Sequence, residues 1–521
     1  MDKIKNTAFF RGAALLSVSV VITKIIGVAF KVPLSYVLGD SGMGYFNTAY
    51  AIYGFFYILC TAGVPKSITL ILTGHGIDCA DENERIFVLK CALRMFLTIG
   101  IFVTLFNIIC APATANLIGN KKACFSILSI APSLLFVSMS GALRGYLNSA
   151  ERLSEIALSQ LLEGVIKLVF GLSLAYLGVR ISAPISVISA LAISGITLGS
   201  VASFLYLLIK TFYSNKAYNT KQKCKINLRE IRRKILKNAL PIALCASLLN
   251  LSSTLDLIII IKRLVQSGSS EMYANSMYGN YTTLAVPMFM LVISVLSPFA
   301  TSYMPRLSSV YVKGDRASLV SELNNLFGLT ILIAVPASLA FFFYSFDMLD
   351  VLFSVQSSAI GADMLICLSF GICLLSALTV INTALESCDR IAVTVFSLLV
   401  GAVTKIGVSY ALIGRAGIGI LGAPIGTVVS YAASLFISIF ALELCGIRLH
   451  TLGKLITLYI LGVVCFYPPY ALIYSRGVIE NSFACMIASV AVSCVLYALG
   501  VLVLHILYSC AKMFNLHKKT L

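Results

Sequence analysis

Fourteen predominantly apolar stretches divide the chain, near 12–38, 44–73, 86–112, 124–146, 154–178, 184–209, 235–261, 274–303, 319–345, 359–385, 391–414, 418–444, 452–475 and 482–510. A hydrocarbon core ~30 Å thick is crossed by about 20 residues at ~1.5 Å each. Each stretch is therefore long enough to predict a membrane-spanning helix. The joins hold residues that interrupt helices: Gly39-Asp40-Ser41-Gly42, Gly178-Val179-Arg180, Ser267-Gly268-Ser269, Gly314-Asp315 and Arg476-Gly477. One polar segment is long, the basic stretch 210–234, with six spans before it and eight after. It reads either as a solvated, lipid-attracted linker or as a protein-binding loop.

The two sides of that segment resemble each other. Arg152 precedes Lys167 by the same interval that separates Arg390 from Lys405. In the spans that follow, the stretch from Gly195 to Phe204 matches that from Gly422 to Tyr431 in its Gly, hydroxyl and aromatic positions. The pattern predicts two copies of the same topology related by an axis along the membrane normal, an arrangement common in transporters. The expected organisation is a first lobe at 1–209 (spans 1–6), the basic linker at 210–234, a second lobe at 235–444 (spans 7–12), and 445–521 with spans 13 and 14 and a tail.

Composition agrees with lipid as the solvent. Of 521 residues 59% are hydrophobic and 12% charged, against about a quarter charged in soluble domains. The net charge of +18 lies between apolar runs rather than in a basic domain, which argues against nucleic acid. With the N-terminus inside, about 25 of the 39 Lys and Arg fall in tails, inner loops or inner span ends, and about 7 in outer loops. The positive-inside rule then predicts that both termini are cytoplasmic. Lys3, Lys5 and Arg11 precede an apolar run that continues to about Leu38 without a convincing cleavage site, so it reads as a first span rather than a signal peptide. Many of the fifteen cysteines, including Cys60, Cys91, Cys110, Cys367, Cys373, Cys465 and Cys494, lie inside apolar runs, no C-x-x-C occurs, and the four histidines are scattered. No metal site is expected.

Charges within spans are the candidate chemistry, because each costs roughly 2.5–3.5 kcal/mol at the bilayer centre. Lys24 lies about 18 Å into the first span at helical rise, too deep to reach either surface readily; it either lines a cavity or snorkels. Lys31, seven residues on, shares its face. Glu163 and Lys167 are spaced i,i+4 in the favourable order and read as a self-neutralised structural ion pair. Lys405, the repeat partner of Lys167, has Gly401 where that acid would be. Asp256 either pairs with Lys31 or Lys24 or joins polar packing with Ser252 and Ser253. Arg144 either meets phosphate headgroups at the inner interface or anchors a helix end. Asn47 and Asn280 complete the candidate cavity set of Lys24, Lys31, Asp256 and Lys405. Catalytic templates are missing: no G-x-x-x-x-G-K-[ST] loop, no H-E-x-x-H and no nucleophile elbow. The chain is expected not to be an enzyme and to need no cofactor beyond a possible coupling ion, Na+ or H+.

The segments Thr23-Lys-Ile-Ile-Gly27, Pro33-Leu-Ser35, Gly39-Asp-Ser-Gly-Met-Gly-Tyr-Phe-Asn-Thr-Ala-Tyr50 and Thr61-Ala-Gly-Val-Pro65 resemble the start of lipid-linked polysaccharide flippases. Arg144-Gly-Tyr-Leu-Asn148, Gln160-Leu-Leu-Glu163-Gly-Val-Ile-Lys167 and Gly422-Ala-Pro-Ile-Gly-Thr427 extend the match. The resemblance is to the multidrug/oligosaccharidyl-lipid/polysaccharide (MOP) exporter superfamily, in its stage V sporulation protein B-like and MurJ-like group. It implies an all-α integral membrane protein, with two six-helix lobes in a pseudo-twofold V and two C-terminal helices. It further implies alternating access carrying an undecaprenyl-pyrophosphate-linked saccharide from inner to outer leaflet of a bacterial cytoplasmic membrane, by a monomer. Spans 1, 2, 7 and 8 would line the cavity, spans 13 and 14 would hold the polyprenyl tail, and basic residues at Lys24 and Lys31 would contact pyrophosphate. The eighth span departs from such relatives: residues 273–304 carry no basic side chain. A cation-coupled drug or metabolite exporter of the same superfamily and a non-transporting scaffold of a wall or sporulation complex are the competing functions.

Overall fold

The computed structural model describes residues 2–72, 82–213, 228–353, 355–415, 417–445, 447, 451–474 and 482–520. Its regular structure is helical throughout: α1 (Asp2–Thr61), α2 (Val64–Leu72), α3 (Glu82–Ile118), α4 (Cys124–Ile130), α5 (Ser133–Ser149), α6 (Leu153–Arg180), α7 (Ile185–Tyr213), α8 (Leu228–Gln266), α9 (Glu271–Asn280), α10 (Val286–Val312), α11 (Arg316–Asp350), α12 (Val355–Ser387), α13 (Ile391–Ile413), α14 (Gly422–Leu444), α15 (Thr451–Pro469) and α16 (Ser482–Thr520). A π-helical turn, Tyr281–Ala285, joins α9 to α10.

Among the described residues twelve helical stretches are long and apolar enough to cross a bilayer. The first, Val21–Thr69, covers two of the fourteen predicted spans, because α1 runs through the expected turn with a break only at Gly39 (φ 60°, ψ −177°). That backbone region is open essentially to glycine alone. The seventh predicted span lies in α8, which is not among the twelve. Large apolar side chains stand exposed on many helices, among them Phe102, Ile109, Val403 and Phe436 at 70–75%. Such surface suits hydrocarbon and not water.

The basic segment is shorter than its composition implies. Helix α7 continues to Tyr213 and α8 begins at Leu228. Ile231 and Ile235, four residues apart, are fully buried while Arg232 and Arg233 stay exposed, so an amphipathic turn carries the cations into the helix. Residues 214–227, including Cys224, and the Arg476-Gly477 turn lie outside the described residues.

By packing, the chain forms two compact units, Met1–Gly279 and Asn280–Leu521. In the first, α6 packs on α7 and α1, α3 and α2 pack on α5, and α8 rests against α1, α2 and α3. The repeat reading instead groups the α8 span with the second lobe. The apolar core of this unit is built from Val64, Ile68, Val88, Leu89, Leu143, Tyr146, Leu207 and Ile235. In the second unit α11 packs on α12, α13 on α14, α12 on α10 and α14, and α15 on α16 and α11. Helix α11 starts on Asp315, whose carboxylate accepts from the Ser318 amide (3.0 Å) and hydroxyl (2.6 Å); these bonds hold its pKa below the usual carboxylate value.

The duplicated sequences adopt the same local structure. Glu151 (φ 56°) and Asp389 (φ 59°) are both left-handed. The following amides of Arg152 and Arg390 donate to Leu147 and Leu385 carbonyls at 2.9 Å in each case, a helix-ending turn of Schellman type. Small residues then set the helix pairs. A Cβ on Gly199 would lie 2.7 Å from the Glu163 carbonyl oxygen, and one on Gly426 would lie 3.3 Å from the Lys405 carbonyl and collide with the Ser409 hydroxyl. In both units a glycine of the second helix closes on the lysine-bearing turn of the first, as small-residue packing in membranes requires.

Candidate functional site

Three intramembrane charges of the first unit, Arg144, Glu163 and Lys167, gather where α1, α5, α6 and α7 meet. Arg144 on α5 donates through one terminal nitrogen (Nη2) to Glu163 Oε2 on α6 at 2.9 Å and to Ser203 Oγ on α7 at 3.1 Å. The two charged side chains are only 14% and 23% exposed. This corrects two sequence expectations. The ion pair of Glu163 is made with Arg144 and not with Lys167, and Arg144 is turned into the helix bundle rather than toward headgroups. The i,i+4 rule looks along one helix; a guanidinium from the neighbouring helix, with several donors in a rigid fork, satisfies Glu163 better than an ammonium one turn away.

Lys167 takes part in no ion pair among the described residues. Its ammonium lies 5.1 Å from the Phe30 ring centroid and 5.9 Å from that of Tyr50, a cation–π arrangement. Glu163 remains within electrostatic reach, and so does Lys31, the residue after Phe30 on α1. The site thus holds two lysines, from α1 and α6, with the local acid already engaged by arginine.

An aromatic ladder runs from this cluster along α1. Phe46, Tyr50, Tyr53 and Tyr57 fall on one stripe of the helix, with successive ring centroids 6.3, 6.0 and 5.5 Å apart. Tyr57, at the far end, is within electrostatic reach of Arg144. Sequence reasoning missed these tyrosines, although their spacing of i, i+4, i+7 and i+11 is itself the signal of a single helix face.

The other candidates are dispersed. Lys24 is exposed on α1, whereas Asn47 on α1 (4% exposed) and Asp256 on α8 (5%) are buried. Two residues before Asp256, the Thr254 hydroxyl donates to the Ala51 carbonyl at 3.4 Å, which fixes α8 beside the Tyr50 turn. Ser252 and Ser253 have side chains outside the described residues. Asn280, buried at 2%, and Lys405, half-buried, belong to the second unit.

A second polar cluster, also unnoticed in the sequence, lies near Gly39 on α1. Asn275 of α9, 1% exposed, donates to the Ser41 carbonyl at 2.7 Å. Asn120 donates to Asn275 Oδ1 at 2.5 Å and to Thr48 Oγ1 at 3.2 Å. The approach is close because two glycines face it: a Cβ on Gly44 would collide with the Asn275 carbonyl, and one on Gly279 would lie 2.5 Å from that of Asp40.

Known proteins place this architecture. A family model described as polysaccharide biosynthesis protein matches residues 9–311. Stage V sporulation protein B of Bacillus subtilis (strain 168) is 22% identical over 434 residues, 81% of this chain and 80% of that protein. Lipid II flippase MurJ of the same bacterium is 21% identical over 450 residues, 82% and 81% of the two chains. Among solved structures, lipid II flippase MurJ in an inward closed conformation has a TM-score of 0.72 at 14% identity, covering 94% of this chain and 99% of its own. An inward-facing MATE family multidrug-resistance transporter of the MOP superfamily has a TM-score of 0.66 at 13% identity, covering 83% and 98%. The chain has the fold of MOP transporters and is a multi-pass bacterial membrane protein. With its family model matched over more than half its length, the chain belongs to the polysaccharide biosynthesis protein family.

Proposed function

We propose that the protein is a flippase that carries an undecaprenyl-pyrophosphate-linked saccharide, a lipid II-type precursor or a related wall or capsule unit, from the inner to the outer leaflet by alternating access. The observation that carries this reading is the placing of the Lys167 ammonium over Phe30 and Tyr50 of α1, the helix that carries Lys31, with Glu163 engaged by Arg144. Two ammonium groups close together in a low-dielectric setting repel one another. A pyrophosphate with about two negative charges relieves that repulsion, whereas an organic cation adds to it. The name of one relative, lipid II flippase MurJ, supports the same class of substrate.

Replacing Lys31 and Lys167 together by glutamine is expected to lower flipping at least tenfold in proteoliposomes, scored as protection of the precursor from an external sugar-modifying enzyme. Matched incorporation and an unchanged elution profile separate this from misfolding. Wild-type flipping by the double variant would reject the lysine pair as the pyrophosphate site.

The inside position of both termini, read from the distribution of Lys and Arg, belongs to the same proposal. A cysteine placed at Ser269 is expected to react with a membrane-impermeant maleimide in intact cells, while Cys224 reacts only after permeabilisation. The reverse pattern would overturn the orientation.

A further inference from the structure

We infer that the ring of Tyr50 is the floor of a sugar subsite beside the lysine pair, on which the saccharide next to the pyrophosphate stacks; the inference rests on the flippase reading above. Three observations carry it. From Gly42 to Tyr53 the α1 helix is enclosed: every residue is buried except Tyr50, 41% exposed, and half-buried Ala51. A lipid-facing helix exposes a side chain every three or four residues, so a single exposed tyrosine opens onto a cleft within the unit and not onto hydrocarbon. What stands in that cleft is charged, since the Lys167 ammonium lies 5.9 Å over the ring. And the ring is held: Phe46 stacks on it at 13° between planes and Tyr53 packs at 6.0 Å, leaving one face for a ligand.

The chemistry of these groups sorts a glycolipid into two parts. Lysine ammonium groups take the pyrophosphate oxygens as charge-assisted hydrogen-bond donors. A rigid aromatic face takes the apolar C–H face of a pyranose, which no charged group recognises, and the phenol can bond a sugar hydroxyl at the ring edge. Lys167 belongs to both parts. It rests over Phe30 and Tyr50, and a pyrophosphate bound beside it draws the ammonium toward its oxygens and off the ring, which uncovers the face for the sugar. The subsite reads the presence of a sugar, and the lysines read the charge.

The experiment measures binding of two probes to the full chain in lipid nanodiscs: undecaprenyl pyrophosphate, and the same lipid bearing a disaccharide. The wild type is expected to bind the saccharide-bearing probe up to about tenfold more tightly, the scale of one aromatic contact. Tyr50→Leu is expected to bring the ratio of the two affinities to about one, and Tyr50→Phe to keep most of it. Lys167→Gln weakens both probes. A ratio unchanged in Tyr50→Leu, or a wild type that binds both probes equally, overturns the subsite while leaving the flippase reading standing. A wild type that binds neither probe overturns the flippase reading, and the subsite with it.

Discussion

Replacing Arg144 by alanine will destabilise the first unit by about 3–5 kcal/mol, the usual result of removing one member of a mostly buried ion pair. The alanine leaves Glu163 charged among three helices and leaves Ser203 without its donor. Monodisperse protein surviving a heat step in detergent is the measurement, with Arg144→Lys intermediate because an ammonium keeps charge but loses the fork. Combining Arg144→Met with Glu163→Gln should recover much of the loss, since a buried pair replaced as a whole is far less costly than one broken. Heat resistance equal to wild type in Arg144→Ala would mean that the bridge does not hold α5, α6 and α7 together.

Gly44→Val is the second large effect. Its side chain would occupy the space of the Asn275 carbonyl and amide, so α9 must withdraw from α1 and give up the bonds to Ser41 and Asn120. Overpacking against side chains costs about 1–3 kcal/mol, and backbone yields less readily. Gly27→Val is the matched control, because nothing lies within 4 Å of a Cβ at that position. Transport and thermal resistance should both fall in Gly44→Val and hold in Gly27→Val; equal behaviour of the two variants would dismiss the close approach as unimportant.

How much of this was legible depends on the range of the interaction. Apolar run length foretold the helices, because a bilayer imposes one thickness on all of them. The repeat was legible too, down to Arg152 and Arg390, since a left-handed turn and a close glycine each demand particular residue types at fixed places. Helix ends were less so. Gly39 alone breaks α1, where four residues of turn signal had been counted, and Ile231 with Ile235 draws the basic segment into α8. The site was the least legible part. Lys31 and Lys167 were each noticed as out of place in lipid, but their meeting depends on α1 docking against α6, which no local spacing encodes. Glu163 was assigned to the nearest cation along its own helix, and the cation that binds it came from across a turn. The spacing of Phe46, Tyr50, Tyr53 and Tyr57 marks one helix face, but only burial of everything around Tyr50 sets it apart within that stripe.

During synthesis Arg144 enters the bilayer ahead of its acid, and an unpaired arginine within a span is costly to insert. Glu163 follows nineteen residues later on the next helix, with only 150–152 between α5 and α6. The two can thus leave the translocon as one hairpin, its charges already cancelled. Lys31 and Lys167 are made much further apart. One is made with α1 and the other with α6. The neutral bridge is built into the nascent hairpin, while the lysines of α1 and α6 share a site only when α6 reaches α1, so the site cannot form before six helices have been made.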